Sequence, residues 1–196
     1  VIESRSPQQP DDVVVAVDET SPAAVQAAVD RARKAQQDWG RSAAARSTAL
    51  SAAADAVQKA AGELADLVVR EVGKPLGEAK GEVARSVAIL RYYAQQVFDP
   101  MGEMHEPSAS GLLYSRRRPH GVAGLITPWN FPLAIPLWKA APALAFGNTV
   151  VLKPAPESTA NAMRLAELFD GVLPDGVFQV VPGDAETGQA VVAGAD

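Results

Sequence analysis

The fold is decided by residues 119–154, which read PHGVAGLITPWNFPLAIPLWKAAPALAFGNTVVLKP. Within this stretch, residues 121–126 form a short aliphatic run that is typical of a strand buried on both faces. Pro128 ends the run, because proline cannot donate a hydrogen bond to a neighbouring strand. Residues 133–146 are long enough for a helix, and residues 149–152 indicate a second buried strand. The order strand, helix, strand predicts a βαβ unit.

A third buried strand is predicted over residues 177–181. A helix over residues 160–169 precedes it, behind a capping cluster formed by Glu157-Ser158-Thr159. A further helix is predicted over residues 186–193. Short buried strands that alternate with helices predict an α/β fold with a Rossmann-like parallel sheet.

The N-terminal half of the chain indicates an arm followed by helices. Residues 1–12 are polar and contain Pro7 and Pro10, which predicts an arm of low order, and residues 13–17 are a candidate strand. Ser21 followed by Pro22 is a helix start, because the hydroxyl caps a backbone N–H and proline is tolerated at the first helical position. Helices are predicted from Pro22 to the glycine at 40, over residues 42–72 and over residues 76–98.

Apolar residues recur alternately four and three positions apart in the second and third of these helices. The same spacing occurs in coiled coils, but alanine fills half of the positions, and helices that pack one face on a core explain it better. Between the two helices, Glu71 and Gly73-Lys74-Pro75 form a turn in which glycine and proline stop one helix and start the next.

Composition excludes several classes of function. The net charge of −5 argues against a nucleic-acid surface, which needs a basic face. No apolar run reaches the length of a membrane span and no signal peptide opens the chain, so no membrane partner is expected and the cytoplasm is the expected location. The chain contains no cysteine, which excludes a disulfide, a thiolate metal site and a cysteine nucleophile within these residues. Neither His105 nor His120 has metal-ligand spacing, so no metal site is expected.

Several rare residue types recur at fixed offsets in the stretch quoted above, and together they resemble the aldehyde dehydrogenase superfamily. The residues that carry the resemblance are Pro128-Trp129-Asn130-Phe131-Pro132, Trp138-Lys139, Ala141-Pro142-Ala143-Leu144-Ala145, Gly147-Asn148-Thr149-Val150-Val151 and Lys153-Pro154. The resemblance covers the whole chain but less than half of a typical member. The chain is therefore expected to be an N-terminal fragment that stops before the catalytic domain, with its cysteine nucleophile and glutamate base.

The resemblance implies an oxidoreductase that converts an aldehyde to a carboxylic acid with NAD or NADP through a cysteine thiohemiacetal. Leu125-Ile126-Thr127 and Ala134-Ile135-Pro136 are similar to the semialdehyde-oxidising branch. Two alternatives stay open. One is a relative that reduces acyl-coenzyme A or acyl phosphate to an aldehyde. The other is a non-catalytic module that binds a cofactor or supports oligomerisation.

The resemblance also divides the chain into three parts. Residues 1–110 hold the N-terminal arm and helices of the cofactor domain, and residues 119–196 are the first part of the NAD(P)-binding domain. The strand between them, at residues 111–118, is expected to join an oligomerisation sheet and to meet acidic residues of another subunit in a homodimer or homotetramer. The three arginines at 116–118 have no basic neighbours, so a solvated strand explains them better than a phosphate or nucleic-acid site.

No G-x-G-x-x-G or Walker motif is present. Ligands of a parallel sheet nevertheless bind at the carboxyl ends of its strands, and three such ends are predicted at residues 126–130, 153–156 and 182–184. By resemblance, Asn130 donates to the oxyanion of the reacting aldehyde, and Lys139 lies near the proton path. On its own, Asn130 is more typical of a turn asparagine that bonds its own backbone, and the flanking Trp129 and Phe131-Pro132 shift the preference to the oxyanion role. The residues implied to contact the cofactor are Ile126, Thr127, Pro128, Trp129, Asn130, Lys153, Pro154, Ala155, Pro156 and Gly183.

Two positions depart from the family pattern. Family members commonly carry a second glycine two residues after the one that corresponds to Gly183, and this chain has Ala185 there. The side chain of alanine puts in doubt whether the backbone at residue 185 can approach the cofactor closely. Pro156 stands where many NAD-preferring members carry a glutamate that binds the adenosine ribose, and the carboxylate of Glu157 comes one residue later. Without a carboxylate at residue 156 to repel a 2′-phosphate, NADP is expected to be accepted as well as NAD.

Overall fold

The computed structural model describes all 196 residues and opens with an antiparallel hairpin, in which β1 (Ile2–Ser6) pairs with β2 (Gln9–Val17). The prediction of a poorly ordered arm over residues 1–12 was therefore wrong. Ile2, Ser4 and Ser6 are buried while the residues between them are exposed. This alternation has the period of a strand, and the polar composition concealed it. The candidate strand over residues 13–17 is confirmed as the second half of β2.

Four helices follow, and two of the three predicted helices, those at residues 22–40 and 76–98, are confirmed within two residues at each end. The four helices are α1 (Pro22–Trp39), α2 (Ala43–Lys59), α3 (Ala61–Val72) and α4 (Leu76–Gln96). The Ser21 hydroxyl accepts a hydrogen bond from Ala24 N at 3.3 Å and so caps α1. The single helix predicted over residues 42–72 was wrong, because the backbone breaks at Ala60, with φ −88° and ψ 11°. No proline marks the break, and Gly62 lies two residues after it, in the first turn of α3. The break lets α3 contact β1 and α4 while α2 packs along α4.

The second half of the chain builds a small antiparallel pair and a parallel sheet. The pair is β3 (Met104–His105) with β4 (Leu113–Tyr114), so only two of residues 111–118 are in a strand. The parallel sheet has the order β5-β6-β7, and its strands are separated by helices as predicted. The remaining elements are β5 (Val122–Ile126), α5 (Ala134–Ala145), β6 (Thr149–Lys153), a 3-10 turn (Pro156–Ser158), α6 (Thr159–Phe169), β7 (Phe178–Val180) and α7 (Ala185–Gly194).

Burial differs among the three parallel strands. All five residues of the central strand β6 are buried. The edge strand β5 buries Val122 and Leu125 but leaves Ile126 41% exposed, and β7 is partly buried throughout. The prediction that all three strands are fully buried was thus right only for β6, because an edge strand has a neighbour on one side only.

Helices cover both faces of the parallel sheet. A large apolar cluster joins α2, α3 and α4 to α5, α6 and one face of the sheet, with Leu50, Leu64, Leu90 and Leu137 among its fully buried side chains. A smaller cluster fills the space between the other face, α1 and α7. The helices therefore pack one face on a core, as predicted, rather than forming a coiled coil. No helix of the chain is both long enough and apolar enough to cross a membrane.

The first turn of α6 is capped by a residue that is remote in the sequence. The predicted capping cluster at residues 157–159 was wrong, since the Ser158 and Thr159 hydroxyls both donate to Ala155 O instead. The carboxylate of Glu71, in the last turn of α3, accepts from Ala160 N at 2.7 Å and from Asn161 N at 2.9 Å. Glu71 therefore serves as more than a turn residue, and it ties α3 to the helix that follows β6.

Candidate functional site

The three parallel strands end at one edge of the sheet. Ile126 pairs with Lys153 across β5 and β6, and the bond from Thr127 N to Lys153 O, at 3.2 Å, extends the ladder one step further. On the other side, Val181 N donates to Leu152 O at 2.8 Å. The loops that follow β5, β6 and β7 therefore open side by side, where a parallel sheet places its ligands.

An open groove of 560 Å³ lies at this edge, between the strand ends and α7. Of the residues expected at the cofactor site, Ile126 and Lys153 line it directly, and Gly183 lies behind Lys153. The helix contributes residues that the sequence interpretation did not select, although their spacing of three and four along α7 indicates a common face. The groove is lined by Ile126, Lys153, Asp184, Ala185, Gly188, Gln189, Val192 and Ala193.

Gly188 keeps the base of the groove narrow. A Cβ atom at this position would lie 3.5 Å from Lys153 Cδ and 3.8 Å from Ile126 Cδ1, which is ordinary van der Waals contact, so a methyl group would just fit. A larger residue would fill the space between the helix and the strand ends. Gly183 has a different reason to be glycine, because a Cβ there would overlap the Thr187 side chain. Packing on α7 thus requires Gly183 whether or not a ligand approaches it.

Lys153 holds a buried positive charge at the strand end. The residue is 6% exposed, and its Nζ donates to Pro154 O and Gly183 O, both at 2.8 Å. Burial lowers the pKa of this ammonium, while the nearby carboxylates of Asp184, Glu157 and Glu19 act in the opposite direction. An ammonium group has three donors, so one N–H stays free for a ligand in the groove.

Asn130 lies on the adjacent loop, between β5 and α5. The residue is exposed, as are Pro128 and Trp129, and its side chain makes no hydrogen bond to its own backbone. The amide therefore faces solvent at the same edge as Lys153. Lys139, one helical turn into α5, is also exposed, and its Nζ donates to Ile126 O at 3.0 Å.

The side of this loop away from solvent is tightly anchored. The Phe131 ring stacks on Trp138 at a centroid distance of 6.3 Å, and the Lys74 ammonium lies 3.9 Å from the Phe131 centroid. Leu133 N and Ala134 N both donate to Glu82 Oε1, at 2.9 and 3.0 Å. Sequence reasoning missed Glu82, because nothing in its local sequence shows that α4 packs on the start of α5.

The residues after β6 form the third side of the edge. Pro154 is buried, Ala155 and Pro156 are half-buried, and Pro156 begins the 3-10 turn. Glu157 is exposed and accepts no hydrogen bond from the chain.

Two observations fit a dinucleotide at this edge. The Thr127 hydroxyl is buried and has no hydrogen-bond partner within the chain, which is rare for a buried polar atom. Lys153 lines the groove together with apolar residues that include Ile126 and Val192. A ligand with an apolar ring and hydroxyl or phosphate oxygens would match these groups.

The amino ends of the strands carry a second cavity, of 520 Å³, lined in part by Arg117, Arg118 and His120. There His120 N donates to Asn148 Oδ1 at 2.7 Å. This cavity lies at the opposite end of the sheet from Asn130 and Lys153. Residues 116–118 are all exposed.

Comparison with known proteins agrees with the geometry. The model of the aldehyde dehydrogenase family matches residues 1–196. The chain is 40% identical over 186 residues to alpha-ketoglutaric semialdehyde dehydrogenase of Bacillus subtilis (strain 168), covering 93% of this chain and 38% of that protein.

Solved structures give the same result. The crystal structure of PnpE in complex with nicotinamide adenine dinucleotide superposes with a TM-score of 0.92 and 36% identity, covering 97% of this chain and 40% of that one. An NADP-dependent enzyme of E. coli gives a TM-score of 0.92 and 35% identity, covering 95% and 39%. The chain thus spans about two fifths of the length of these proteins, and its fold is the N-terminal, cofactor-binding part of theirs.

Proposed function

Because the chain belongs to the aldehyde dehydrogenase family, we propose that the complete protein oxidises an aldehyde to a carboxylic acid with NAD or NADP. A semialdehyde is the first substrate to test, since the relative from Bacillus subtilis carries that activity in its name. The observation that carries the proposal is the placement of an exposed amide, Asn130, and a buried ammonium, Lys153, at one edge of the sheet.

The groove beside α7 is the proposed cofactor site. When bound, the nicotinamide supplies the acceptor for the hydride that leaves the substrate. Lys153 would donate to an oxygen of the adenosine ribose or of a nearby phosphate, and its two bonds to carbonyl groups fix its direction. The neighbouring loop residues Thr127, Pro128 and Trp129 would border the cofactor, with the unpartnered Thr127 hydroxyl as a further polar contact. Pro154, Ala155 and Pro156 would border it from the other side.

Asn130 is the proposed oxyanion donor. A cysteine from residues outside this chain would attack the aldehyde carbon, and the carbonyl electron pair would move onto oxygen as the C–S bond forms. A neutral amide suits the charge on that oxygen, because it stabilises the anion without transferring a proton to it. One donor of this kind typically contributes ~3 kcal/mol to the transition state.

Lys139 is kept as a candidate for the proton path. Its Nζ is exposed, and its bond to Ile126 O places it at the end of β5, on the same edge as Asn130. A lysine in that place can exchange a proton with solvent.

The β3–β4 pair is the proposed contact with another subunit. Met104, Leu112, Leu113 and Tyr114 are large apolar residues that are all exposed there. The arginines at 116–118 follow directly and would meet acidic residues of the partner. Residues 111–118 would thus add to a sheet shared by a homodimer or homotetramer, as the three-part division of the chain implies.

The experiment that tests the function is an assay of the complete protein with a panel of semialdehydes and simple aldehydes, with NAD and with NADP. Formation of the acid and of reduced cofactor in equal amounts supports the proposal. Activity only in the reducing direction, with acyl-coenzyme A or acyl phosphate, would instead assign the acylating chemistry. Cofactor binding without turnover, together with a reading frame that encodes no cysteine, would assign a non-catalytic module.

A further inference from the structure

A buried carboxylate lies directly beneath the loop that carries Asn130. Glu82, in α4, is 3% exposed, and its Oε1 atom accepts hydrogen bonds from Leu133 N at 2.9 Å and Ala134 N at 3.0 Å. These are the last residue of the loop and the first residue of α5. A helix N-terminus leaves such N–H groups without intrahelical partners, and a carboxylate satisfies them with charge-assisted bonds. Glu82 therefore fixes the point where the loop becomes helix.

Lys74 occupies the other side of this carboxylate. Its ammonium forms an ion pair with Glu82 Oε2, and its side chain is 10% exposed. The same ammonium lies 3.9 Å from the centroid of the Phe131 ring, the residue after Asn130. A cation over an aromatic ring attracts the ring face. The pair therefore holds the loop at two points, through the Phe131 ring and through the backbone at residues 133 and 134.

Asn130 is positioned only through the backbone of its loop. Its side chain makes no hydrogen bond within the chain, so the backbone of the loop decides where the amide points. On the other side of Asn130, the loop is held by the bond from Thr127 N to Lys153 O. Loss of the Glu82 bonds would leave the loop free to shift on the Phe131 side.

Stability alone gives a weak reason for an ion pair in this place. The desolvation penalty of a buried pair often cancels its attraction, and an apolar pair of similar volume is commonly as stable. Catalytic donors, in contrast, lose much of their effect when their geometry is displaced by about 1 Å. The bonds of Glu82 to the loop backbone provide the positional control that an oxyanion donor needs.

We propose that Glu82, held in place by Lys74, is a positioning residue for Asn130. The proposal rests on the oxyanion role of Asn130 in the proposed function. An oxyanion donor acts in the transition state, so loss of Glu82 should lower turnover and leave cofactor binding unchanged. Glu82 lies beneath the loop and touches neither the cofactor groove nor the exposed face of Asn130.

A double-mutant cycle in the complete protein tests the proposal. Glu82→Ala should lower kcat/KM for the aldehyde about tenfold, mainly through kcat, with the cofactor Kd within about twofold of the parent. Glu82→Gln keeps a carbonyl oxygen for the two backbone N–H groups and should recover kcat/KM to within about threefold of the parent. In an Asn130→Ala background, Glu82→Ala should cost less than about twofold, because residues that act through one another are not additive.

Glu71→Ala is the matched control, since Glu71 is also a buried glutamate that caps a helix, but at the start of α6. It should lower the unfolding temperature to a similar extent, and its effect on kcat/KM should be additive with Asn130→Ala. If Glu82→Ala does not fold, Glu82→Asp replaces it in the cycle, because the shorter side chain keeps the charge and withdraws it from the backbone amides. Full additivity of the Glu82 and Asn130 effects would overturn this proposal alone. An Asn130→Ala protein with unchanged turnover would remove the oxyanion role and this proposal with it.

Discussion

Glu71 and Asn161 are ninety positions apart in the sequence and are joined by two hydrogen bonds in the structure. Glu71 Oε2 accepts from both the backbone N and the side-chain Nδ2 of Asn161, while Oε1 accepts from Ala160 N. The contact fixes α3 to the first turn of α6, immediately after the loop that follows β6. Two remote glutamates, Glu71 and Glu82, thus hold the starts of two of the helices that follow parallel strands.

The Glu71 contact gives a pH dependence with a definite sign. Burial raises the pKa of Glu71 above its ordinary value of 4.5, despite the hydrogen bonds that lower it. Between 4.5 and the raised value, the folded state binds more protons than the unfolded state, so the contribution of Glu71 to the free energy of unfolding falls as pH rises. In Glu71→Gln this contribution is absent.

The measurement is the free energy of unfolding of parent and Glu71→Gln between about pH 4.5 and 7.5, in the complete protein. The free energy of unfolding of the parent minus that of Glu71→Gln should fall as the pH rises through this window. Near pH 7 the variant should still be less stable, by about 1–3 kcal/mol, because the glutamine NH₂ would face the Asn161 donors. A difference that grows with pH would contradict the account of Glu71.

Pro156 sets the expected cofactor preference. The residue begins the 3-10 turn, and no carboxylate stands there to repel a 2′-phosphate. Two unit charges ~4 Å apart at an effective dielectric near 20 would interact by about 4 kcal/mol, an upper guide for an accessible site. We expect the complete protein to use NADP with a kcat/KM within about tenfold of that for NAD, a difference of ~1.4 kcal/mol.

Steady-state kinetics with both cofactors checks this expectation, and Pro156→Glu should shift the preference toward NAD. Pro156→Ala is the matched control, since it removes the proline without adding a charge. A preference of the parent for NAD of about a thousandfold or more would contradict this expectation and indicate that the Glu157 carboxylate binds the adenosine ribose.

The 196 residues alone should turn over no aldehyde, because they contain no cysteine to act as nucleophile. They should also aggregate, since the three-stranded sheet ends in the open strands β5 and β7, whose unpaired backbone groups can bind other chains. Purified chain assayed beside the complete protein, with light scattering as the second readout, tests both expectations. Turnover by a preparation shown to be free of the complete protein would contradict the first, and a stable monomer would contradict the second.

Local chemistry accounts for the part of the fold that the sequence predicted. The aliphatic runs at β5 and β6, the cap at Ser21 and the apolar spacing of α4 each depend on residues within a turn or two of one another. The order strand, helix, strand then determines a parallel sheet, and with it the edge whose loops carry Asn130 and Lys153.

Contacts between distant residues account for the part that was missed. The break at Ala60 has only Gly62 as a weak local signal, and it accompanies the packing of two helices on α4. Glu71 and Glu82 cap helices by accepting hydrogen bonds from backbone N–H groups 89 and 51 positions later in the chain. The local sequence of each helix therefore cannot predict its cap. The hairpin at residues 1–17 was missed for another reason, since its alternation was present but composition was given more weight.

The most direct test of the account is the kinetic effect of Asn130→Ala in the complete protein. Turnover should fall roughly 10²- to 10³-fold while the cofactor Kd stays nearly unchanged, because an oxyanion donor acts mainly in the transition state. Cofactor titration and steady-state kinetics on the same preparation give both quantities. Unchanged turnover, with the loss confined to cofactor affinity, would contradict the assignment of Asn130 to the reacting oxygen.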